Sequence, residues 1–179
     1  MTEGKKQKSI LADLLMDLKS KDSTVLLKAL KRVRSKGNET VIPSIIKIIE
    51  TSQDSDVVNE AKSIILELKS TKSIPFLLDE LENENHEIRE LVLSAFWQTG
   101  FNPHQYIDKF VKCGINGTFV ETIEVYTIID SLEGPFEEET IMEAQIMLNQ
   151  YFNNNIEITE KHELLRSIKN ALENYALSI

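Results

Sequence analysis

The sequence predicts an all-α protein, a stack of about five helical hairpins with roughly ten helices in total. One observation behind this prediction is the regular spacing of the prolines. Pro43, Pro75, Pro103 and Pro135 lie 32, 28 and 32 residues apart, and each precedes an apolar helical run. Proline is tolerated in the first turn of a helix, where its missing N–H would have no partner. Each proline therefore predicts a helix start.

The second observation is an apolar ladder that recurs in the second helix of each predicted hairpin. Its members are spaced i, i+4, i+8, so they lie on one face of a helix. Successive copies are displaced by 32, 31 and 31 residues. A hairpin of roughly 30 residues cannot bury such a stripe alone, so we expect neighbouring hairpins to stack into a solenoid. The copies are Val25-Ala29-Val33, Val57-Ala61-Ile65, Ile88-Val92-Phe96 and Phe119-Ile123-Thr127, the last of which ends on a polar residue.

Two stretches of the chain resemble the HEAT-repeat family, at the short end of its repeat length. In that family a proline lies in the first helix, and an Asp/Asn-rich turn leads into a second helix that carries Val-Arg and then alanine. Tetratricopeptide-type repeats compete at this period, but their Trp-Leu-Gly-Tyr pattern is absent. Only Arg89 stands at the family's arginine position, while Leu26, Val58 and Val120 replace it elsewhere. The matching residues are Pro43 with Asp54, Asp56, Val57, Val58 and Ala61, and Pro75 with Asn83, Asn85, Ile88, Arg89 and Ala95.

The resemblance covers about Ser9 to Leu132. It implies a right-handed α-α superhelix of short HEAT-like repeats, in which the second helices line the concave surface. We therefore expect residues 1–179 to form a single repeat domain. Within it, residues 1–8 are expected to be a basic flexible tail, and residues 135–179 a longer hairpin that caps the C-terminal end.

Local signals predict where the individual helices begin and end. Ser, Thr, Asp and Asn favour helix starts because their side chains accept hydrogen bonds from the first free N–H groups, and glycine favours helix ends. The sequence Thr118-Phe-Val-Glu121 is a capping-box signature. In chain order, the predicted features are a helix over 9–19, a helix over 23–36 that Asp22 or Ser23 can cap, hairpins over 43–69 and 74–99, a helix from Pro103 to Cys113, a turn over Gly114–Gly117, and helices that begin at Phe119, Pro135 and Thr159.

Charge and composition limit the class of protein. The net charge of −9 divides unevenly, because residues 1–36 have a balance of +6 and residues 37–179 a balance of −15. Such asymmetry is typical of an interaction surface, although drift among solvated helix faces produces it too. The N-terminus lacks the apolar region of a signal peptide, and no run approaches the roughly 18 apolar residues of a membrane span. We therefore expect a cytoplasmic protein, with no membrane partner and with the single cysteine, Cys113, buried at the end of a helix.

No pattern in the sequence predicts catalysis. The three histidines, His86, His104 and His162, have no partner at a metal-ligand spacing such as HxxxH. The chain has no CxxC pair, no Gly-rich phosphate loop and no GxSxG motif. Three glutamates at 137–139 are explained by the preference of a helix N-terminus for negative charge. We therefore predict a protein that is not an enzyme, with no catalytic residue, no cofactor and no metal.

The predicted function is that of a non-catalytic scaffold that binds a protein partner. If the ladder residues face the core, the residues beside the ladder on each second helix form a row that faces outward. The resemblance places this row on the concave side. Trp97 is the only tryptophan and a residue type common in binding hot spots, with packing against a neighbouring helix as its alternative role. The row includes Leu30 and Glu121, and for Leu30, Leu66 and Leu93 packing between repeats is the favoured alternative. The residues predicted to contact the partner are Lys31, Arg34, Lys62, Leu66, Glu90, Trp97, Glu124 and Ile128.

Two alternative functions follow from the same resemblance. HEAT-like DNA glycosylases cradle duplex DNA, which requires clustered Lys and Arg. Residues 73–160 carry three Lys/Arg against seventeen Asp/Glu, so nucleic-acid binding is disfavoured. HEAT-like bilin lyases hold an apolar ligand in the groove, an alternative that rests on fold analogy alone. The sequence leaves the identity of the partner and the oligomeric state open.

Overall fold

The computed structural model describes residues 3–155 and 157–178, with side chains from Lys8 onward. Within these residues the protein is all-α, as predicted, and contains no strand. None of the described helices is both long and apolar enough to cross a lipid bilayer. The α-helices of this part of the chain number ten: α1 (Glu3–Asp17), α2 (Ser23–Lys36), α3 (Ile42–Thr51), α4 (Ser55–Leu66), α5 (Ile74–Asp79), α6 (His86–Thr99), α7 (Ile107–Asn116), α8 (Phe119–Asp130), α9 (Glu138–Asn154) and α10 (Glu160–Ala176). Short 3₁₀ helices lie at Glu39–Val41, Thr71–Ser73, Glu80–Glu82 and His104–Tyr106.

The even-numbered helices all begin with a side chain that caps free backbone N–H groups. Such a cap satisfies donors that have no partner within the helix. The predicted helix starts at Phe119 and Thr159 are confirmed, and the former has both hydrogen bonds of a capping box. The capping residues are Asp22 for α2, Asp54 for α4, Asn85 for α6, Thr118 for α8 and Thr159 for α10.

The prolines mark helix starts in the first half of the chain but not in the second. Pro43 and Pro75 are the second residues of α3 and α5, as predicted. The prediction is wrong for Pro103, which precedes a 3₁₀ helix, and for Pro135, which lies three residues before α9. The Asn102 side chain accepts from Glu133 N–H at 3.1 Å and donates to its carbonyl at 2.7 Å. These two hydrogen bonds hold the chain in a loop just before Pro135, so α9 begins after the proline.

The first helix begins earlier than the sequence predicts. Residues 3–8, expected to be a flexible tail, belong to α1, which starts at Glu3. Lysine, glutamine and glutamate are good helix formers, so this segment extends the amphipathic helix that follows it. Met1 and Thr2, the rest of the predicted tail, lie outside the described residues.

The contacts divide the chain into two compact units, one ending at Leu77 and the other beginning at Leu78. In the N-terminal unit, α2 packs on α1 and α4, and α3 packs on α4. The second ladder, Val57-Ala61-Ile65, is fully buried, as predicted. In the first ladder Ala29 and Val33 are buried as predicted, but Val25 is 36% exposed, because the buried side of α2 also includes Leu26 and Leu30. Leu30 of the outward row is thus in the core, the role that the sequence favours for it.

The C-terminal unit consists of two layers of helices. One layer contains α6, α8 and α10 side by side, and the other contains α7 and α9. The two 17-residue helices α9 and α10 pack on each other and form the predicted long hairpin. The third ladder, Ile88-Val92-Phe96, is buried as predicted, and Phe96 packs edge-on against Phe110 with ring centroids 5.0 Å apart.

Helix α8 is rotated away from its predicted orientation. Phe119 and Ile123, two members of the fourth ladder, are each 41% exposed, and Thr127 is also exposed. The buried side of α8 consists of Glu121, Thr122, Val125, Ile128 and Ile129. The Thr122 hydroxyl donates to the Gly114 carbonyl of α7 at 3.0 Å. Val125 lies so close to Gly114 that a Cβ there would be 3.3 Å from Val125 Cγ1, so the predicted turn at Gly114 is instead a close helix–helix contact.

Matched isoleucine substitutions on α8 test this orientation. We expect Ile129→Ala to lower the free energy of unfolding by about 2–5 kcal/mol, because its side chain is fully buried. Ile123→Ala should change it by less than about 1 kcal/mol, because Ile123 lies on the surface. Urea unfolding followed by circular dichroism measures both. Equal costs for the two variants would contradict the observed rotation.

Candidate functional site

Among the predicted contact residues of the N-terminal unit, Arg34 has a structural role. The guanidinium of Arg34 donates from Nε to Glu60 Oε1 at 3.1 Å and also pairs with Glu67. It donates from Nη2 to Ser63 Oγ at 2.9 Å. Glu67 first and Glu60 second raise the pKa of Arg34. Arg34 thus ties α2 to α4. Lys62 and Leu66 are half-buried, and Lys31 is exposed.

In the C-terminal unit, two of the predicted contact residues meet on the surface. The Trp97 indole N–H donates to Glu124 Oε2, and the Ser94 hydroxyl donates to Glu124 Oε1 at 3.1 Å. Glu90 lies one turn before Ser94 on the same side of α6 and is half-buried. Trp97 is 45% exposed, so its ring is held in one orientation while much of it faces solvent. The ring therefore contacts the neighbouring helix through Glu124 while 45% of it is exposed, and its role in partner binding stays a prediction.

Ile128 does not belong to this surface. The sequence places it on the outward row, but its side chain is only 2% exposed and lies in the core of the C-terminal unit. Glu121, on the same predicted row, is fully buried as well. Both corrections follow from the rotation of α8, which brings Glu121 and Ile128 to the interior and leaves Glu124 half-buried at the edge.

The same rotation exposes three apolar residues, two of which, Phe119 and Ile123, the sequence analysis assigned to the core. Phe119, Val120 and Ile123 are 41%, 50% and 41% exposed on the outer side of α8. Val120 lies one helical turn before Glu124 on the same side of α8, and Ile123 precedes Glu124 on the exposed side of the helix. We call this surface the Trp97–Ile123 face, and its members are Glu90, Trp97, Phe119, Val120, Ile123 and Glu124. The sequence shows that these residues are apolar, but no local pattern distinguishes them from the apolar residues on the buried side of α8.

A buried ion pair beneath this face holds α8 in its orientation. Glu121 accepts from Arg89 Nε at 2.6 Å and from the backbone N–H of Thr118. Arg89 Nη1 also donates to the carbonyls of Asn83 at 2.5 Å and Glu84 at 3.2 Å. Burial alone would raise the pKa of Glu121, but the Arg89 guanidinium and the Thr118 N–H outweigh it and hold the pKa below its ordinary value. The carboxyl group is therefore ionised at neutral pH.

Lys161 of α10 holds the turn that leads into α8. Its Nζ donates to the carbonyl of Ile115 at 2.7 Å and to that of Gly117 at 2.6 Å. Cations at a helix C-terminus satisfy free carbonyls and complement the helix dipole. Burial lowers the pKa of Lys161, and the nearby Glu121 carboxylate opposes that shift. Three helices of one layer thus contribute a charged group to the same region.

A cavity of about 420 Å³ lies beside this ion pair in the C-terminal unit. Its lining includes Arg89, Lys112 and Cys113. Lys112 Nζ is 2.6 Å from Glu82 Oε1, so that cation is already paired. Burial raises the pKa of the Cys113 thiol to about 11, so the thiol stays protonated at neutral pH and is a poor nucleophile. Among the described residues, no three His, Cys, Asp or Glu side chains are arranged to hold a metal ion.

Comparisons with family models, with curated proteins and with solved structures gave no match to this chain.

The buried ion pair makes a testable contribution to stability. We expect Glu121→Gln to lower the free energy of unfolding by about 3 kcal/mol at pH 7, because it leaves Arg89 buried without its counter-charge. Glu124→Gln should cost less than about 1 kcal/mol, because Glu124 lies at the surface. Denaturant unfolding at pH 7 measures both values, and similar costs would contradict the central role of Glu121.

The contribution of Glu121 should also depend on pH. Its folded-state pKa lies below the ordinary value of 4.5, so its stabilising effect is fully present above that pH. The effect is lost as pH falls from about 4.5 through the folded-state pKa, because folding then requires release of a proton from the carboxyl group. We therefore expect the difference in stability between wild type and Glu121→Gln to shrink below pH 4.5. A difference that stays constant down to pH 3 would contradict this assignment.

Proposed function

We propose that this chain is a non-catalytic scaffold that binds a protein partner through the Trp97–Ile123 face. The observation that carries the proposal is the exposure of Phe119, Val120 and Ile123 on a helix whose other side is already in the core. A helix that is apolar on all sides is ordinarily buried on all sides. An exposed apolar patch of this kind is typical of a protein-binding surface.

The residues around the patch favour a specific contact over nonspecific adhesion. Trp97 offers a large apolar area and is fixed by its hydrogen bond to Glu124, so little side-chain entropy is lost when it is covered. Glu90 and Glu124 border the apolar residues, and the sequence of α8 contains no Lys or Arg. The single cation of α6, Arg89, is paired with Glu121. A partner that combines apolar side chains with a basic residue fits this surface best.

We also propose that the hairpins form a HEAT-like solenoid, as the sequence resemblance implies. Support comes from the recurring caps at Asp22, Asp54 and Asn85, which are 32 and 31 residues apart. Further support comes from α6, α8 and α10, which lie side by side within the C-terminal unit. In a solenoid of this kind each unit contacts its neighbours, and one set of helices supplies the binding surface. The Trp97–Ile123 face belongs to that set.

Paired variants in an affinity-capture experiment test the proposal. We expect wild type to retain a partner from a lysate of the source cell, and Trp97→Ala with Ile123→Glu to lose it, because the variant removes the apolar anchor and introduces a buried charge at the interface. With the purified partner, we expect the affinity to fall by about a hundredfold. Titration calorimetry measures this change.

Met142→Glu is the matched control. Met142 is 52% exposed on α9, outside the Trp97–Ile123 face, so the variant adds a charge to an exposed apolar site without touching the proposed surface. It should retain the same partner. If both variants retain it, the face is not the docking site, and if both lose it, the effect of Ile123→Glu is not specific to the face. If wild type retains no protein, the scaffold function itself is contradicted.

A further inference from the structure

A second candidate binding site lies in the N-terminal unit, as a groove along α3. Its volume is about 1160 Å³. One wall is formed by Pro43, Ser44, Lys47, Ile48 and Thr51, whose spacing puts them on one face of α3. At the turn between α1 and α2 the lining consists of Leu18, Lys19, Ser20, Lys21 and Ser23, and Leu26 of α2 and residues 52–54 complete it. We call this site the α3 groove.

The deepest part of the lining is apolar. Leu18, Leu26 and Ile48 are only 3%, 7% and 6% exposed, yet all three line the groove. These three side chains expose little surface of their own, so an apolar side chain placed on them would gain mainly by removing its own surface from water. An occupant without an apolar group would gain nothing from this part of the groove.

The polar part of the lining carries an excess of positive charge. Lys19, Lys21 and Lys47 are exposed around the groove. Lys47 Nζ lies 3.3 Å from Glu50 Oε2 on its own helix, but its side chain is 71% exposed, so this pair is weak. Within the described residues, Lys19 and Lys21 form no ion pair. Two of the three cations are therefore free to meet an anion.

Among the described residues, the lining has one carboxylate, that of Asp54, and its hydrogen bonds are already made. Asp54 accepts from the backbone N–H groups of Asp56 at 3.0 Å and Val57 at 3.3 Å, at the start of α4. The Ser23 hydroxyl first, and these N–H groups next, hold the pKa of Asp54 below its ordinary value. Its negative charge is directed to the N-terminal end of a helix, where the helix dipole offsets it. The charge that stays available to a ligand is therefore the positive charge of the lysines.

We propose that the α3 groove binds a short acidic peptide segment that carries one large apolar side chain. The apolar side chain lies on Leu18, Leu26 and Ile48, and carboxylates of the segment meet the lysines. From Pro43 to Thr51 the wall is about 12 Å long at about 1.5 Å per residue, which suits roughly four residues of an extended chain. This site is separate from the Trp97–Ile123 face and does not depend on the function proposed for that face.

The apolar lining distinguishes this occupant from a nucleic acid. Nucleic-acid binding rests mainly on contacts between phosphates and Lys or Arg, and stacking of bases requires aromatic or Arg side chains. The lining of the α3 groove contains lysines but no aromatic residue and no arginine. A phosphate backbone would gain nothing from packing on Leu18, Leu26 and Ile48, whereas an apolar peptide side chain removes its own surface from water there.

Fluorescence anisotropy with a defined probe tests the proposal. The probe is a fluorescein-labelled peptide with one leucine between two pairs of glutamates, added to the full chain. We expect saturable binding that weakens by about tenfold for Lys19→Glu with Lys21→Glu, because both attractions become repulsions. Ser44→Tyr, which fills the groove without changing the charge, should weaken binding to a similar extent. Replacing the leucine of the probe by alanine should also weaken binding to a similar extent.

Matched controls decide the outcome. Lys28→Glu with Lys36→Glu changes the net charge equally on α2 but outside the lining, and should change affinity by less than about twofold. Ser35→Tyr adds the same bulk to an exposed site away from the groove and should have no effect. The proposal is overturned if wild type shows no saturable binding, if the control pair weakens binding as much as the groove pair, or if a single-stranded oligonucleotide competes as well as unlabelled peptide.

Discussion

The arrangement of the C-terminal unit depends on one buried ion pair, that of Glu121 with Arg89. A buried carboxylate costs several kcal/mol unless it is paired and hydrogen-bonded, so Glu121 can be inside only where Arg89 and the Thr118 N–H meet it. Once Glu121 points inward, the period of the helix decides the rest of α8. Val125 and Ile129 follow it into the core, and Ile123 turns to the surface. The exposed apolar face is thus a consequence of where the charge is satisfied.

Helix starts were largely predictable because their signals are local. A cap needs only a side-chain oxygen and N–H groups two or three residues further on, so Asp22, Thr118 and Thr159 could be identified from the sequence. The same holds for the buried ladders of α4 and α6, in which one apolar stripe stands out against polar neighbours. Pro135 shows the limit of local reasoning, since its loop is held by Asn102, which lies far away in the sequence.

The orientation of α8 could not be predicted from its own sequence. The helix carries apolar residues on two sides, so periodicity alone permits either Ile123 or Ile129 to face the core. The choice is made by Arg89, 32 residues earlier, and by the close contact of Val125 with Gly114. As a result the sequence placed Trp97 and Glu124 on the surface but also placed Ile128 there. It missed Phe119, Val120 and Ile123 as surface residues for the same reason.

Part of the excess positive charge of residues 1–36 has a structural explanation, and the cations without one are informative. Arg32 pairs with Asp17, Arg34 pairs with Glu60 and Glu67, and Lys36 lies in the last turn of α2, where the helix dipole favours a cation. No such role accounts for Lys19 and Lys21, which lie instead beside an apolar groove. In the C-terminal unit the exposed apolar residues are bordered by glutamates. The two proposed sites therefore have opposite charge, each combined with apolar contacts, and they would select different ligands, because a segment that complements one would be repelled by the other.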